Sequence, residues 1–111
     1  MKVRVNGNSY DVYYRKVDDE RVRIYVYREG ENPKCIFRLM QFDIILSDDK
    51  YVGVDFYSTL SYDLSIALSE LTIMRKILIA INNKMKDLDG PCALTKVLSS
   101  LKLLKVKPYP K

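Results

Sequence analysis

The feature that most constrains the fold is a periodic pattern of apolar residues in the second half of the chain. From Ser61 onward, apolar side chains recur with alternating spacings of three and four residues over more than three heptads. This spacing predicts an amphipathic α-helix with one continuous apolar seam. The seam consists of Leu64, Ala67, Leu71, Met74, Leu78, Ile81, Met85 and Leu88.

The predicted long helix covers residues 61–89 and has recognisable ends. Ser61 can cap its N-terminus, and the carboxylate of Asp63 complements the helix dipole in the first turn. Gly90 and Pro91 end it, because glycine favours the left-handed exit and proline cannot continue a helix. A shorter amphipathic helix is predicted over residues 93–104.

The first half of the chain reads as strands over residues 2–57. Asn6-Gly7 between extended runs indicates a hairpin, and Asp18-Asp19, the loop from Gly30 to Pro33 and the turn after Ser47 separate further strands. We therefore predict an α+β fold: an antiparallel meander of four to five strands packed on one long helix, plus a short C-terminal helix. Residues 1–104 form one domain, and 105–111 a flexible basic tail.

The hairpin formed by residues 9–28 has an unusual outer face. Whether its loop has two or four residues, even-numbered residues of the first strand are expected to share a face with odd-numbered residues of the second. Tyr13, Val17, Val22, Ile24 and Val26 then face the core. The outer face collects Tyr10, Val12, Tyr14, Lys16, Arg21, Arg23, Tyr25 and Tyr27.

Tyrosines among cations suit single-stranded nucleic acid, since bases stack on the rings and phosphates pair with the charges. The net charge of +5 points the same way. The order of strands followed by a long helix is similar in layout to the subunits of Whirly-type single-strand-binding dimers. We expect replacement of Arg23 and Tyr25 by alanine to weaken binding with little change in melting temperature. The predicted nucleic-acid-binding residues are Tyr10, Tyr14, Lys16, Arg21, Arg23, Tyr25 and Tyr27.

Other interpretations of these patterns remain open. The tyrosine face suits a protein interface equally, or simply cross-strand packing. A second apolar stripe on the long helix (Ile66, Ile73, Ile77 and Ala80) means that one helix face can cover the sheet while the other needs a partner or the short helix. The rival function is therefore a structural or adaptor protein acting as a homodimer. Its predicted interface is Leu64, Leu71, Met74, Leu78, Ile81 and Met85.

The sequence predicts no enzyme, metal site, cofactor or small-molecule substrate. It contains no histidine, and most carboxylates occur at predicted turns. Pairing Ser47 with Lys50 would place Asp43 and Asp55 on opposite faces of the sheet, which argues against a two-carboxylate site. Cys35 and Cys92 lack metal-binding spacing and are expected to be buried free thiols.

No signal peptide and no apolar run long enough to span a bilayer is evident, so we expect a cytoplasmic protein without membrane contact. Abundant Ile, Lys and Tyr, with four glycines and no Trp or His, is typical of a thermophile or one of its viruses.

Overall fold

The computed structural model describes residues 1–33, 39–47, 50–57, 64–90 and 92–110. It confirms the α+β class: an antiparallel sheet and two helices. The sheet follows chain order from β1 to β5, and a two-residue strand, β6, runs parallel beside β2. The strands are β1 (Lys2–Val5), β2 (Asn8–Asp18), β3 (Arg21–Arg28), β4 (Met40–Ser47), β5 (Lys50–Tyr57) and β6 (Lys107–Pro108).

The Asn6-Gly7 turn forms as predicted. Val5 pairs with Asn8 across it, and both turn residues have positive φ, 53° for Asn6 and 79° for Gly7. These values suit a two-residue hairpin turn, whose twist matches that of the flanking strands.

The long helix, α1, spans Leu64–Met85, and the short helix, α2, spans Ala93–Leu103. The predicted cap Ser61 and first-turn Asp63 lie outside the described residues. α1 ends earlier than the predicted residue 89, because the chain tightens after Met85: the amides of Asp87 and Leu88 donate to carbonyls three residues back. Within the described residues, neither helix is long and apolar enough to cross a membrane.

The core lies between one face of the sheet and the two helices. From α1 it receives Ile73, Ile77 and Ile81, which recur every four residues and are 0–3% exposed. Ile73 and Ile77 of the second apolar stripe thus face the sheet, and the described residues of the predicted seam lie beside them. Ile81, predicted to lie in the dimer interface, is a core residue instead. The sheet and α2 supply Val12, Val22, Ile24, Phe42, Ile44, Ala93, Val97 and Leu101, among others.

The end of α2 fixes the chain against the core. The amide of Lys105 donates to the Lys102 carbonyl (3.0 Å) and that of Val106 to the Leu101 carbonyl (2.9 Å). This pattern is a Schellman motif, with Lys105 in the left-handed position at φ 59°. Because Val106 is 4% exposed, the predicted solvated tail is wrong at this residue.

Candidate interaction surfaces

A β-bulge in the second hairpin reverses the predicted grouping of side chains. Asp18 pairs with Arg21, but the next pair inward joins Lys16 to Val22, so Val17 is an extra residue on β2. One extra residue changes the parity of the register beyond it. Val12 therefore lies opposite Val26, and Tyr14 opposite Ile24. The predicted outer face was wrong for all the β2 residues assigned to it: Tyr10, Val12, Tyr14 and Lys16.

The hairpin of β4 and β5 contains a second bulge with the same effect. Ile45 pairs with Gly53 and Leu46 with Tyr51, which leaves Val52 as the extra residue. Asp43 then lies directly opposite Asp55. The prediction that these two acids occupy opposite faces was wrong, and both lie on the outer face, away from the helices.

These two carboxylates form an ion-pair network with the arginines of β3. Asp43 accepts from Arg23 Nε (2.8 Å) and Nη2 (3.1 Å), and from Arg21 Nη1 (2.8 Å). Arg21 also reaches Asp55, at 3.0 Å. Burial alone would raise the pKa of Asp43, but the hydrogen bonds from Arg23 and Arg21 outweigh it and hold the pKa below its ordinary 3.8. Both predicted phosphate-binding arginines are thus already paired with acids.

A tyrosine cluster occupies the other end of the outer face. The rings of Tyr13 and Tyr27 meet edge to face at 5.7 Å between centroids. Tyr109, from the C-terminal segment, stacks on Tyr25 at 3.9 Å with an interplanar angle of 27°. Its hydroxyl lies 3.0 Å from that of Tyr27, which donates to the carbonyl of Pro33 at 3.1 Å. Tyr25 is 3% and Tyr27 0% exposed, so the stacking faces predicted for bases are covered by the chain itself.

The solvent side of α1 carries three of the five large apolar side chains that are exposed among the described residues. Leu68 is 55%, Leu71 43% and Ile79 48% exposed. At 100° per residue they lie on one side of the helix with half-buried neighbours, and we call this set the α1 stripe. A groove of about 460 Å³ opens along its C-terminal half. The stripe consists of Leu68, Leu71, Met74, Leu78, Ile79 and Met85, with Arg75 and Asn82 between them.

The predicted site residues therefore fall into three places. Tyr10 and Tyr14 pack with the core, and Lys16 forms an ion pair with Asp19 at 3.2 Å. Arg21, Arg23, Tyr25 and Tyr27 do share the outer face. Of the predicted interface residues, Leu71, Met74, Leu78 and Met85 belong to the α1 stripe, whereas the side chain of Leu64 lies outside the described part.

Three residues of the outer face were not predicted to lie there: Tyr13, Arg15 and Tyr109, and Tyr13 had been assigned to the core face. Tyr109 was assigned to a solvated tail. The only sequence signal for a strand pairing there is its proline neighbours, which favour an extended segment. Arg15 was not assigned to the outer face, although the structure places it there opposite Arg23. The bulge at Val17 accounts for this omission.

Cysteine and acidic side chains give no further site in the described part of the chain. No group of three or more His, Cys, Asp or Glu residues there is arranged to hold a metal ion. Cys92 is a partly exposed free thiol rather than a buried one, and its Sγ lies 3.2 Å from Thr95 Oγ1. Cys35, the other half of any disulfide, is outside the described residues.

Comparison with protein-family models, with curated proteins and with solved structures finds no significant match. Function is therefore inferred from the geometry of these surfaces.

Proposed function

We propose that this protein is a non-catalytic protein-interaction module that self-associates through the α1 stripe. The observation that carries the proposal is the exposure of Leu68, Leu71 and Ile79 on one side of a 22-residue helix. Contiguous apolar surface on a folded domain is typical of an interface. Of the two functions considered from the sequence, this geometry favours the homodimeric adaptor.

The partner that best fits the stripe is a second copy of the chain. The apolar positions repeat every three or four residues, the spacing with which one helix packs along another, and a twofold axis lets the same stripe serve both copies.

The size of the stripe sets the expected affinity. A 22-residue helix is about 33 Å long, and a contact strip about 10 Å wide along it covers roughly 330 Å² per copy, below the roughly 800 Å² of a standard interface. We therefore expect a weak dimer in exchange with monomer.

The test is sedimentation equilibrium of the wild type and of Leu71→Glu/Ile79→Glu from micromolar to near-millimolar concentration. The wild type should approach dimer mass, and the double variant should stay monomeric. Leu103→Glu is the matched control, because Leu103 is 57% exposed and belongs to α2, not to the stripe. A wild type that remains monomeric, or equal weakening by the control, would rule out the stripe as the interface.

We keep single-stranded nucleic acid binding as a second proposal, since one observation supports it. Arg15 and Arg23 lie directly opposite each other on the outer face, so two positively charged residues are neighbours there. Arg23 is paired with Asp43, whereas Arg15 is exposed and makes no ion pair with the described residues. Half-buried Tyr13 lies two residues before Arg15 on the same face.

Fluorescence anisotropy of labelled single-stranded and duplex oligonucleotides at two salt concentrations tests this second proposal. Binding should favour the single strand, weaken with salt and weaken further in Arg15→Ala. Lys102→Ala, a basic residue on α2, controls for overall charge. No binding at low salt, or the same loss in both variants, would exclude a nucleic-acid site at Arg15.

We also propose a cytoplasmic location, which the free thiol of Cys92 supports because such thiols persist in reducing compartments.

A further inference from the structure

Residues 107–110 dock on the outer face as a separable segment. We call them the C-terminal arm. Lys107 and Pro108 run parallel beside Tyr13 and Tyr14 of β2, and the Tyr109 amide donates to the Tyr14 carbonyl at 2.8 Å. The Schellman motif holds the chain only as far as Val106. The arm can therefore leave without opening the hydrophobic core.

The arm fills a recess that has the features of a peptide-binding site. An edge of β2 beyond β1 supplies backbone hydrogen bonds, and Tyr13, Tyr25 and Tyr27 form the aromatic floor for Tyr109. Addition of an extended peptide to a sheet edge, with one side chain in a pocket, is a common mode of peptide recognition. We call this site the tyrosine recess.

The arm is held by few bonds. Lys107 and Pro108 are both exposed, and Pro108 has no amide to donate to the ladder. The stacked ring of Tyr109 and its contact with the Tyr27 hydroxyl are the specific part of the attachment. Tyr109 is thus the residue of the arm that gives its binding to the recess specificity.

We propose that the tyrosine recess also binds the C-terminal arm of a second copy of this chain. The structure shows that the recess is complementary to this sequence, and every copy carries one arm and one recess. Residues 107–110 span about 14 Å when extended, which lets a released arm reach a neighbouring molecule. The contact joins the arm of one copy to the recess of another, so it uses different residues from the α1 stripe and does not depend on it.

The arm in the same molecule competes with the arm of a neighbour. A short tether gives an effective concentration in the millimolar range, so a free wild-type molecule keeps its recess filled. Docking between copies is expected where molecules are crowded, or where a recess has lost its own Tyr109.

The first test uses full-length Tyr109→Ala and a fluorescein-labelled peptide of residues 106–111, Val-Lys-Pro-Tyr-Pro-Lys. The peptide should bind this variant at least tenfold more tightly than the same peptide with alanine in place of tyrosine, and should bind wild type more weakly. Equal binding of the two peptides would overturn the proposal. So would preferential filling of the vacated recess by a single-stranded oligonucleotide.

A second test keeps Tyr109 and covers the case in which Tyr109→Ala does not fold. Cys35 and Cys92 are first replaced by serine in both chains. The Tyr13→Cys variant is then mixed with the Lys107→Cys variant. Positions 13 and 107 are register partners, and such spacing permits a disulfide. A covalent dimer on a non-reducing gel supports docking between copies. Asp19→Cys mixed with Lys107→Cys controls for random collision, and equal yields in both mixtures would refute it. Because neither test involves α1, failure here leaves the α1 proposal unaffected.

Discussion

The ion-pair network around Asp43 allows a sharp prediction. Asp43 is fully buried, and its carboxylate accepts three hydrogen bonds from two arginines. Asp43→Asn keeps the shape of the side chain but removes its charge. A hydrogen bond to a charged group contributes roughly 1 kcal/mol more than a neutral one, so the three bonds together should lose about 3 kcal/mol. For a domain of this size that corresponds to a fall in Tm of about 12 °C.

The assay is urea unfolding followed by circular dichroism, at neutral and at acidic pH. The folded state lowers the pKa of Asp43 below 3.8, so its charge stabilises the fold above the unfolded pKa. That contribution disappears as the pH falls through the folded pKa. The difference between wild type and Asp43→Asn should therefore be large at pH 7 and shrink toward zero in acid.

Asp55→Asn is the matched control. Asp55 is half exposed and touches only Arg21 within this network, so its loss should cost less than about 1 kcal/mol. A loss of stability in Asp43→Asn that is no larger than that in Asp55→Asn at pH 7, or that is independent of pH, would contradict this role of the Asp43 charge.

Three further predictions concern single residues. Tyr25→Ala should destabilise the protein by about 3–5 kcal/mol in urea unfolding, because the ring is 3% exposed. The sequence had predicted little change in melting temperature even when Arg23 and Tyr25 are both replaced, and a stable variant would mean that the Tyr109 stack contributes nothing. Lys105→Gly should raise the free energy of unfolding by about 0.5–1 kcal/mol, since φ is 59° at this C′ position; unchanged or lower stability would contradict this. The hydrogen bond from Thr95 lowers the pKa of Cys92, so Thr95→Ala should raise that pKa and slow alkylation of the thiol by iodoacetamide at mildly alkaline pH. An unchanged rate would show that Thr95 has no effect on the thiol.

The sequence predicted the elements well because each has a local signal. The spacing of apolar residues marked both helices, and Asn6-Gly7 marked a turn that needs two residues with positive φ. The face of α1 that packs on the sheet was not decided by the pattern. Both stripes are apolar, and only the arrangement of the sheet selects Ile73, Ile77 and Ile81.

The prediction of the candidate site was wrong because the predicted strand register was wrong. Val17 and Val52 are the extra residues of the two bulges, and valine is an ordinary strand residue that gives no sign of a bulge. Each bulge shifts the register by one residue. The bulge at Val17 places the β2 side chains before it in the sequence on the face opposite to the predicted one. The bulge at Val52 brings Asp43 opposite Asp55. The role of Tyr109 could not be predicted from local sequence either, since it depends on contacts between residues more than eighty positions apart.

The most direct test of self-association through α1 is an interchain distance. A spin label at Asn83→Cys, in a chain whose Cys35 and Cys92 are replaced by serine, would lie at the border of the α1 stripe. In a helix-to-helix dimer with axes about 8–10 Å apart, equivalent labels lie within about 35 Å of each other. Double electron–electron resonance at high protein concentration should show a defined distance in this range, lost in Leu71→Glu. A background decay alone, with no defined distance at any concentration, would contradict the proposal.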